Sequence, residues 1–300
     1  MDTEKSKAQH AADDGGSSAG TSMLVVPDSP GSISVDRDNA PYKIGVALSG
    51  GGARGFAHVG ALLALEQAGI KPDIIAGVSA GSVVAVMYAA GLTPLQIVNH
   101  FASTSFRSFA ELALGSGGIF RIDKFERFIL NAIAPHTRLE DLDIPTYIGA
   151  TDLIHGRGVA FHSGKIGPRV IASCSIPIVF PPVVIDGVHY VDGGVLRNHP
   201  AWMLRDKCRL LIGVNVSPLR KRSNYNSLIS VALRTYNLMA KANQSVDMAL
   251  CDISVQPTEI ADYRPFDLSH IKTLVLTGYR HMRQALLDAG LWSAAQTQND

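Results

Sequence analysis

Apolar and polar positions divide this chain into three stretches. Residues 1 to 40 are polar and rich in Asp, Gly, Ser and Ala, so a disordered tail is expected there. Residues 41 to 290 interleave short apolar runs with helical periodicity, the pattern of one α/β domain with a mainly parallel central sheet. Residues 291 to 300 form a second short tail.

The pattern is sharpest from Lys43 to Leu92, which reads as two strand–turn–helix units. The run Ile44 to Leu48 is short and apolar, as a buried parallel strand is. It leads into Gly50-Gly51-Gly52-Ala53-Arg54-Gly55, which opens a helix. Phe56, Val59, Leu62 and Leu63 then fall on one helix face, and Gly69 is placed to stop it. Ile74 to Val78 is the second strand, and it ends in Gly77-Val78-Ser79-Ala80-Gly81. A second helix runs from there to Gly91.

Residues 93 to 140 read as helical and irregular. Asp123 with Glu126 has the spacing of a capping box, and Phe125, Phe128, Ile129 and Ile133 line one face behind it. Most of that face reads as packing, with a cover over a site groove as the other reading. The stretch from Phe101 to Phe120, with Phe106, Phe109 and the break Gly115 to Gly118, suits a mobile lid. Strands follow at Thr146 to Ala150 and Val159 to His162. Asp186-Gly187 between apolar runs marks a hairpin, so Asp186 is a turn residue. Leu210 to Val216 is a buried strand, and Leu228 to Leu250 and Ser269 to Ala289 are scaffold helices, the latter stopped by Gly290.

The chemistry sits in the two glycine turns. Gly50-x-Gly52-x-x-Gly55 matches the dinucleotide spacing, but the next strand does not end in an acidic residue; Asp73 lies before it. No Lys-Ser/Thr pair follows, so a Walker loop is excluded. What remains is a row of backbone N–H groups over Gly50, Gly51, Gly52, Ala53, Arg54 and Gly55, suited to an anion or an oxyanion. Arg54 either steadies that loop or meets a phosphate. Ser79, flanked by Gly77 and Gly81 between a strand and a helix, fits a nucleophile elbow. Both turns lie at the carboxyl edge of a parallel sheet, where ligands bind. Gly16-Ser17-Ser18-Ala19-Gly20 repeats the pattern in a polar tail with no strand or helix beside it, so Ser18 has no role.

The run SGGGARGFAHVGAL, then GVSAG, then Asp192-Gly193-Gly194 resembles the patatin-like phospholipases in their bacterial form. Ile144-Pro145, Ala150-Thr151-Asp152-Leu153, Ala172-Ser173-Cys174-Ser175-Ile176-Pro177 and Phe180-Pro181-Pro182 extend the likeness over roughly residues 43 to 290. The resemblance implies a three-layer α/β/α patatin-like fold and a dyad of Ser79 and Asp192 acting on lipid acyl esters. It implies no metal and no cofactor. Without the resemblance, Asp192 before two glycines is equally a turn aspartate. A non-catalytic binding protein on the same fold, and a transacylase, remain open.

Charge adds little: 27 Lys and Arg against 26 Asp and Glu, with no basic stripe suggesting nucleic acid. Three scattered cysteines indicate neither a disulfide frame nor a zinc site. Residues 1 to 22 lack a secretory signal's apolar core. Ile74 to Leu92 is long enough to span a membrane, but Gly77, Ser79 and Gly81 break it where the elbow needs a turn. A cytoplasmic protein is expected, with a lipid or acyl-ester substrate and room for peripheral membrane contact. His58 and His189 lie near the motifs; helix packing and strand alternation argue against a relay role for either.

Overall fold

The computed structural model describes residues 23–25, 37–102, 104, 111–112, 119–221, 226–242 and 244–292. In chain order the elements are strand β1 (Met23–Val25), β2 (Tyr42–Leu48), helix α1 (Phe56–Gln67), β3 (Ile74–Val78), α2 (Ala80–Ala89), α3 (Pro94–Ala102), β4 (Glu111–Leu112), β5 (Phe120–Arg121) and α4 (Asp123–Ala132). There follow β6 (Thr146–Asp152), β7 (Arg157–Phe161), α5 (Ile166–Cys174), β8 (Val183–Ile185), β9 (Val188–Asp192), β10 (Cys208–Val214), α6 (Leu228–Ala242), α7 (Gln244–Met248), β11 (Ile253–Val255) and α8 (Ile271–Asp288).

The main sheet runs β1-β7-β6-β3-β2-β10-β11. From β6 to β11 every neighbour pair is parallel, whereas β7 and β1 are antiparallel. Alternate side chains serve opposite faces. Val46, Leu48, Ile75, Ile212 and Val214 join the larger core under the helices. Ala47, Ile74, Ala76, Leu211 and Cys208 join a smaller one, covered by the turn Pro200–Met203. The layers are therefore unequal, and the larger core holds the site.

One register detail brings the motifs together. Val78, the last residue of β3, pairs with Gly149 of β6. At the next row β3 has turned away into its elbow, and Ala150 of β6 pairs instead with Asp192 of β9. The edge of β6 that β3 vacates is taken up by β9, so the serine turn and the aspartate end on adjacent rows.

Several sequence expectations change. Helix α1 does not bury one face; it is buried from Phe56 to Leu62 without interruption, and Leu63 is only half-buried. The cause is α8, which crosses so closely that a Cβ on Gly60 would lie 1.9 Å from the Val275 carbonyl oxygen, and one on Gly278 1.9 Å from that of Ala57. No capping box forms: Ile122 is the N-cap of α4, and Asp123 bonds Arg121 instead. The stretch expected as a tail contributes β1, which pairs with β7, and Tyr190 bonds the Met23 sulfur at 3.8 Å. Most of the lid stretch, including Phe106 and Phe109, lies outside the described residues, as do Ser18 and residues 293–300. The hairpin turn is as expected, with Asp186 and Gly187 both at positive φ.

Candidate active site

Ser79 is the N-cap of α2, held at φ 51 and ψ −122. A non-glycine residue adopts that conformation only where the surroundings impose it. A Cβ on Gly77 would lie 2.3 Å from the Gly81 carbonyl oxygen, and one on Gly81 2.1 Å from that of Leu48. Only glycine permits so tight a turn. Ser173 fixes the turn from below: its hydroxyl accepts the Ser79 N–H at 2.8 Å and donates to the Gly149 carbonyl at 2.6 Å.

Asp192 is fully buried. Its N–H donates to the Ser175 carbonyl at 2.9 Å, and its Oδ1 accepts the Gly194 N–H at 2.8 Å. Its Oδ2 is buried with no direct hydrogen bond. Burial pushes the carboxyl up to about 6, opposed in turn by the Ser79 hydroxyl, the Gly194 N–H and the Tyr236 hydroxyl. Tyr236, from α6, is itself pushed well above the phenol range by burial and by the Asp192 charge.

The glycine loop is braced on every side. The Gly50 N–H is engaged by the Asn198 carbonyl at 3.2 Å, and that of Ala53 by the Pro265 carbonyl at 2.6 Å. These two members of the expected oxyanion row are therefore occupied. Gly51 and Gly52 border the space beside Ser79. The Arg54 guanidinium bonds the carbonyls of Tyr263 at 2.9 Å, Ala261 at 3.1 Å and Pro218 at 3.4 Å. These bonds tie the loop to the segments at Pro218 and Ala261–Tyr263. Ser49 adds a further tie, accepting the Val216 N–H at 2.9 Å.

Ser79 lies where two cavities meet. One, of about 130 Å³, is apolar and bounded by Phe56, Val83, Ile97, Phe101, Ile122 and Phe125. The other, of about 90 Å³, carries Asn198, Ser217, Tyr236 and Asn237. Phe125 thus shapes the apolar cavity, while Ile129 and Ile133 of the same face are packed in the core. Among the described residues, no histidine lines either cavity. His58 is fully buried, bonds the Ser49 carbonyl at 2.7 Å, and is lowered to about 4 chiefly by burial. His189 is exposed, on the strand face away from Asp192.

Sequence reading missed Tyr236, Asn198 and Ser173 as members of the site. Ser173 stood within a stretch already noted, without a role. Tyr236 carried no signal, since it lies 44 positions beyond Asp192 on a helix read as scaffold, a separation fixed by their numbers alone.

The model of the patatin-like phospholipase family matches residues 46–205. An uncharacterized NTE family protein of Mycobacterium tuberculosis is 36% identical over 175 residues, 57% of this chain and 48% of that protein. Lysophospholipase NTE1 of Cryptococcus neoformans is 29% identical over 234 residues, 75% of this chain and 14% of that protein. Among solved structures, VipD from Legionella pneumophila shares the fold, with a TM-score of 0.53 at 14% identity over 83% of this chain and 67% of that one. The chain spans about half the length of the first of these relatives. With the glycine loop, elbow and aspartate turn at one sheet edge, the chain belongs to the patatin-like phospholipase family.

Proposed function

We propose that the chain is a serine hydrolase of lipid acyl esters, working through Ser79 and Asp192. The observation that carries this reading is the row-by-row placement of the strained serine beside a buried carboxylate, at the junction of an apolar cavity and a second one of mixed lining that adds Asn198, Ser217, Tyr236 and Asn237 to Leu233, Pro265 and Phe266. The apolar arm receives the acyl chain, and the arm that carries Asn198, Ser217, Tyr236 and Asn237 receives the alcohol portion.

The chemistry follows from the side chains. Ser79 Oγ forms a bond to the ester carbonyl carbon while its proton passes to Asp192. A free aspartate, at ~3.9, is a weak base. Burial lifts Asp192 to about 6, so it is both ionised at neutral pH and more basic than in water. The carbonyl electron pair moves onto oxygen, where the N–H groups of Gly51 and Gly52 receive it. Each such donor contributes about 100-fold or more in rate. The intermediate then expels the alcohol oxygen, which takes the proton back from Asp192. Water, deprotonated by the same carboxylate, releases the acid from acyl-Ser79.

The test is the initial rate of purified protein on a chromogenic short-chain ester, followed by lipid analysis of a treated membrane extract. Wild type is expected to turn over and to release free fatty acid. Ser79→Ala is expected to be inert with an unchanged circular dichroism spectrum. Turnover by a well-folded Ser79→Ala at the wild-type rate would sink the reading.

A further inference from the structure

Helix α6 faces two ways. Of its 15 residues only Ala240 is buried. One side, with Leu233, Tyr236, Asn237 and Ala240, closes the smaller cavity beside Ser79. The other side is apolar and open: Leu228 is 82% exposed, Val231 47%, Leu238 49% and Met239 39%. Those positions, at i, i+3, i+10 and i+11, form one stripe along the helix. Isolated exposed leucines are ordinary, but a stripe on a helix that walls the site calls for an occupant.

Charge says what that occupant is. From Ser217 to Val246 the sequence contains Arg220, Lys221, Arg222, Arg234 and Lys241, and no Asp or Glu. Elsewhere acids outnumber bases, because the whole chain is nearly neutral. Arg220 pairs with Asp262 across the surface, and Arg234 bonds the Arg220 carbonyl. Arg234 and Lys241 are seven apart, so they flank the stripe on one side. With Arg220 matched by Asp262, the apolar stripe is left with Arg234 and Lys241 along its border, and that complements a layer with an apolar interior and an anionic surface.

We propose that α6 docks on an anionic lipid membrane, its Leu228–Met239 stripe entering the headgroup layer and its cations meeting lipid phosphates. The benefit of this placement rests on the lipid-ester reading: the helix on the membrane also bounds the cavity at Ser79, so a lipid reaches the serine without crossing water.

The test is flotation of the full chain with two kinds of vesicle, phosphatidylcholine alone and phosphatidylcholine mixed with phosphatidylserine. Wild type is expected to float with the anionic vesicles and to be released as salt rises. Leu228→Glu with Leu238→Glu should weaken flotation roughly tenfold or more, through lost apolar insertion. Lys221→Glu with Lys241→Glu leaves the stripe intact and should remove the preference for anionic vesicles. None of these four side chains lines either cavity at Ser79, so rates on a soluble ester should stay within about twofold of wild type. Wild type that does not float, or leucine and lysine variants that float as wild type does, would overturn the proposal. Self-association abolished by the leucine variant, without flotation, would assign the stripe to a second copy of the chain and would overturn it too. Flotation by a protein with no esterase activity would sink the hydrolase reading and leave the docking surface standing. Ester turnover without flotation would do the reverse.

Discussion

Asp152 and Asp192 sit two rows apart on paired strands, both fully buried, yet their chemistry is opposite. Asp152 is saturated with donors. Its Oδ1 accepts the N–H groups of Ile154 at 2.9 Å and His155 at 3.1 Å. Its Oδ2 accepts the His155 ring at 2.7 Å and the Arg157 guanidinium at 3.3 Å. Burial raises its carboxyl, but the His155 ring and the two backbone donors outweigh that and hold it below the usual range. Asp192 has one backbone donor and two hydroxyl neighbours, so burial wins and carries it to about 6. Burial does not make a base; burial with too few donors does. The first aspartate holds a hairpin together, and the second remains able to accept a proton.

The comparison breaks most visibly by removing each charge in turn. Asp192→Asn keeps the shape but cannot take the serine proton, so kcat on a chromogenic ester should fall by ~10²–10⁴-fold with the fold unchanged. Asp152→Asn should do the opposite. It weakens charge-assisted bonds at the hairpin and costs about 1–3 kcal/mol, read as a lower melting temperature. The surviving folded protein should turn over at nearly the wild-type rate. Equal loss of rate in both variants would erase the distinction.

The pH dependence separates them further. In the proposed mechanism Asp192 accepts the serine proton only when ionised, so kcat/KM should rise as pH climbs through about 6 and then level off. Its stability effect has the contrary sign. The folded carboxyl titrates above the unfolded one, near ~3.9, so its contribution is fully present below that pH and is lost as pH rises through about 6. Asp192→Asn should therefore outlast wild type above neutrality by an amount on the order of 1–3 kcal/mol. Asp152 is depressed, so its contribution is present above ~3.9 and disappears only as pH falls through its lowered value. Denaturant melts of both variants between acidic and neutral pH check both signs.

Tyr236 tunes the gap between the two aspartates. Its hydroxyl favours the charged form of Asp192, so Tyr236→Phe should raise the carboxyl further. The midpoint of the pH–rate profile should move to higher pH by roughly half a unit or more, with the plateau lowered by less than about tenfold. An unmoved midpoint would show that Tyr236 only fills space.

This contrast also marks what the sequence could reveal. Parallel strands are apolar runs that end in glycine turns, so β2, β3 and both turns are legible from local pattern, as is the Asp186–Gly187 hairpin. Asp152 and Asp192 look alike in sequence, each a polar residue ending an apolar strand; what separates them is the set of donors that tertiary structure supplies. For Asp152 those donors are local, within five residues of it. For Asp192 the hydroxyls come from Ser79 and Tyr236, far away in both directions. Helix α1 misled for a related reason: its second buried face is made by α8, at the other end of the chain. The engaged N–H groups of Gly50 and Ala53 depend likewise on Asn198 and Pro265.

The smallest effect expected is the most discriminating about mechanism. His189 shares strand β9 with Asp192 and precedes it by three residues, the sort of neighbour from which an imidazole relay could be built. Alternation along the strand sends Tyr190 and Asp192 to the buried side, and His189 is exposed on the other. His189→Gln should therefore leave kcat/KM within about twofold of wild type and its pH midpoint unmoved, since no part of the midpoint belongs to imidazole. His58→Gln should also retain turnover, but with a lower melting temperature, because it disturbs a buried ring bonded to the Ser49 carbonyl. The measurement is the initial rate across pH for the two purified, folded variants beside Asp192→Asn. A dead His189→Gln with an active Asp192→Asn would mean that the proton travels through the exposed face of β9, and the contrast between the two buried aspartates would lose its catalytic meaning.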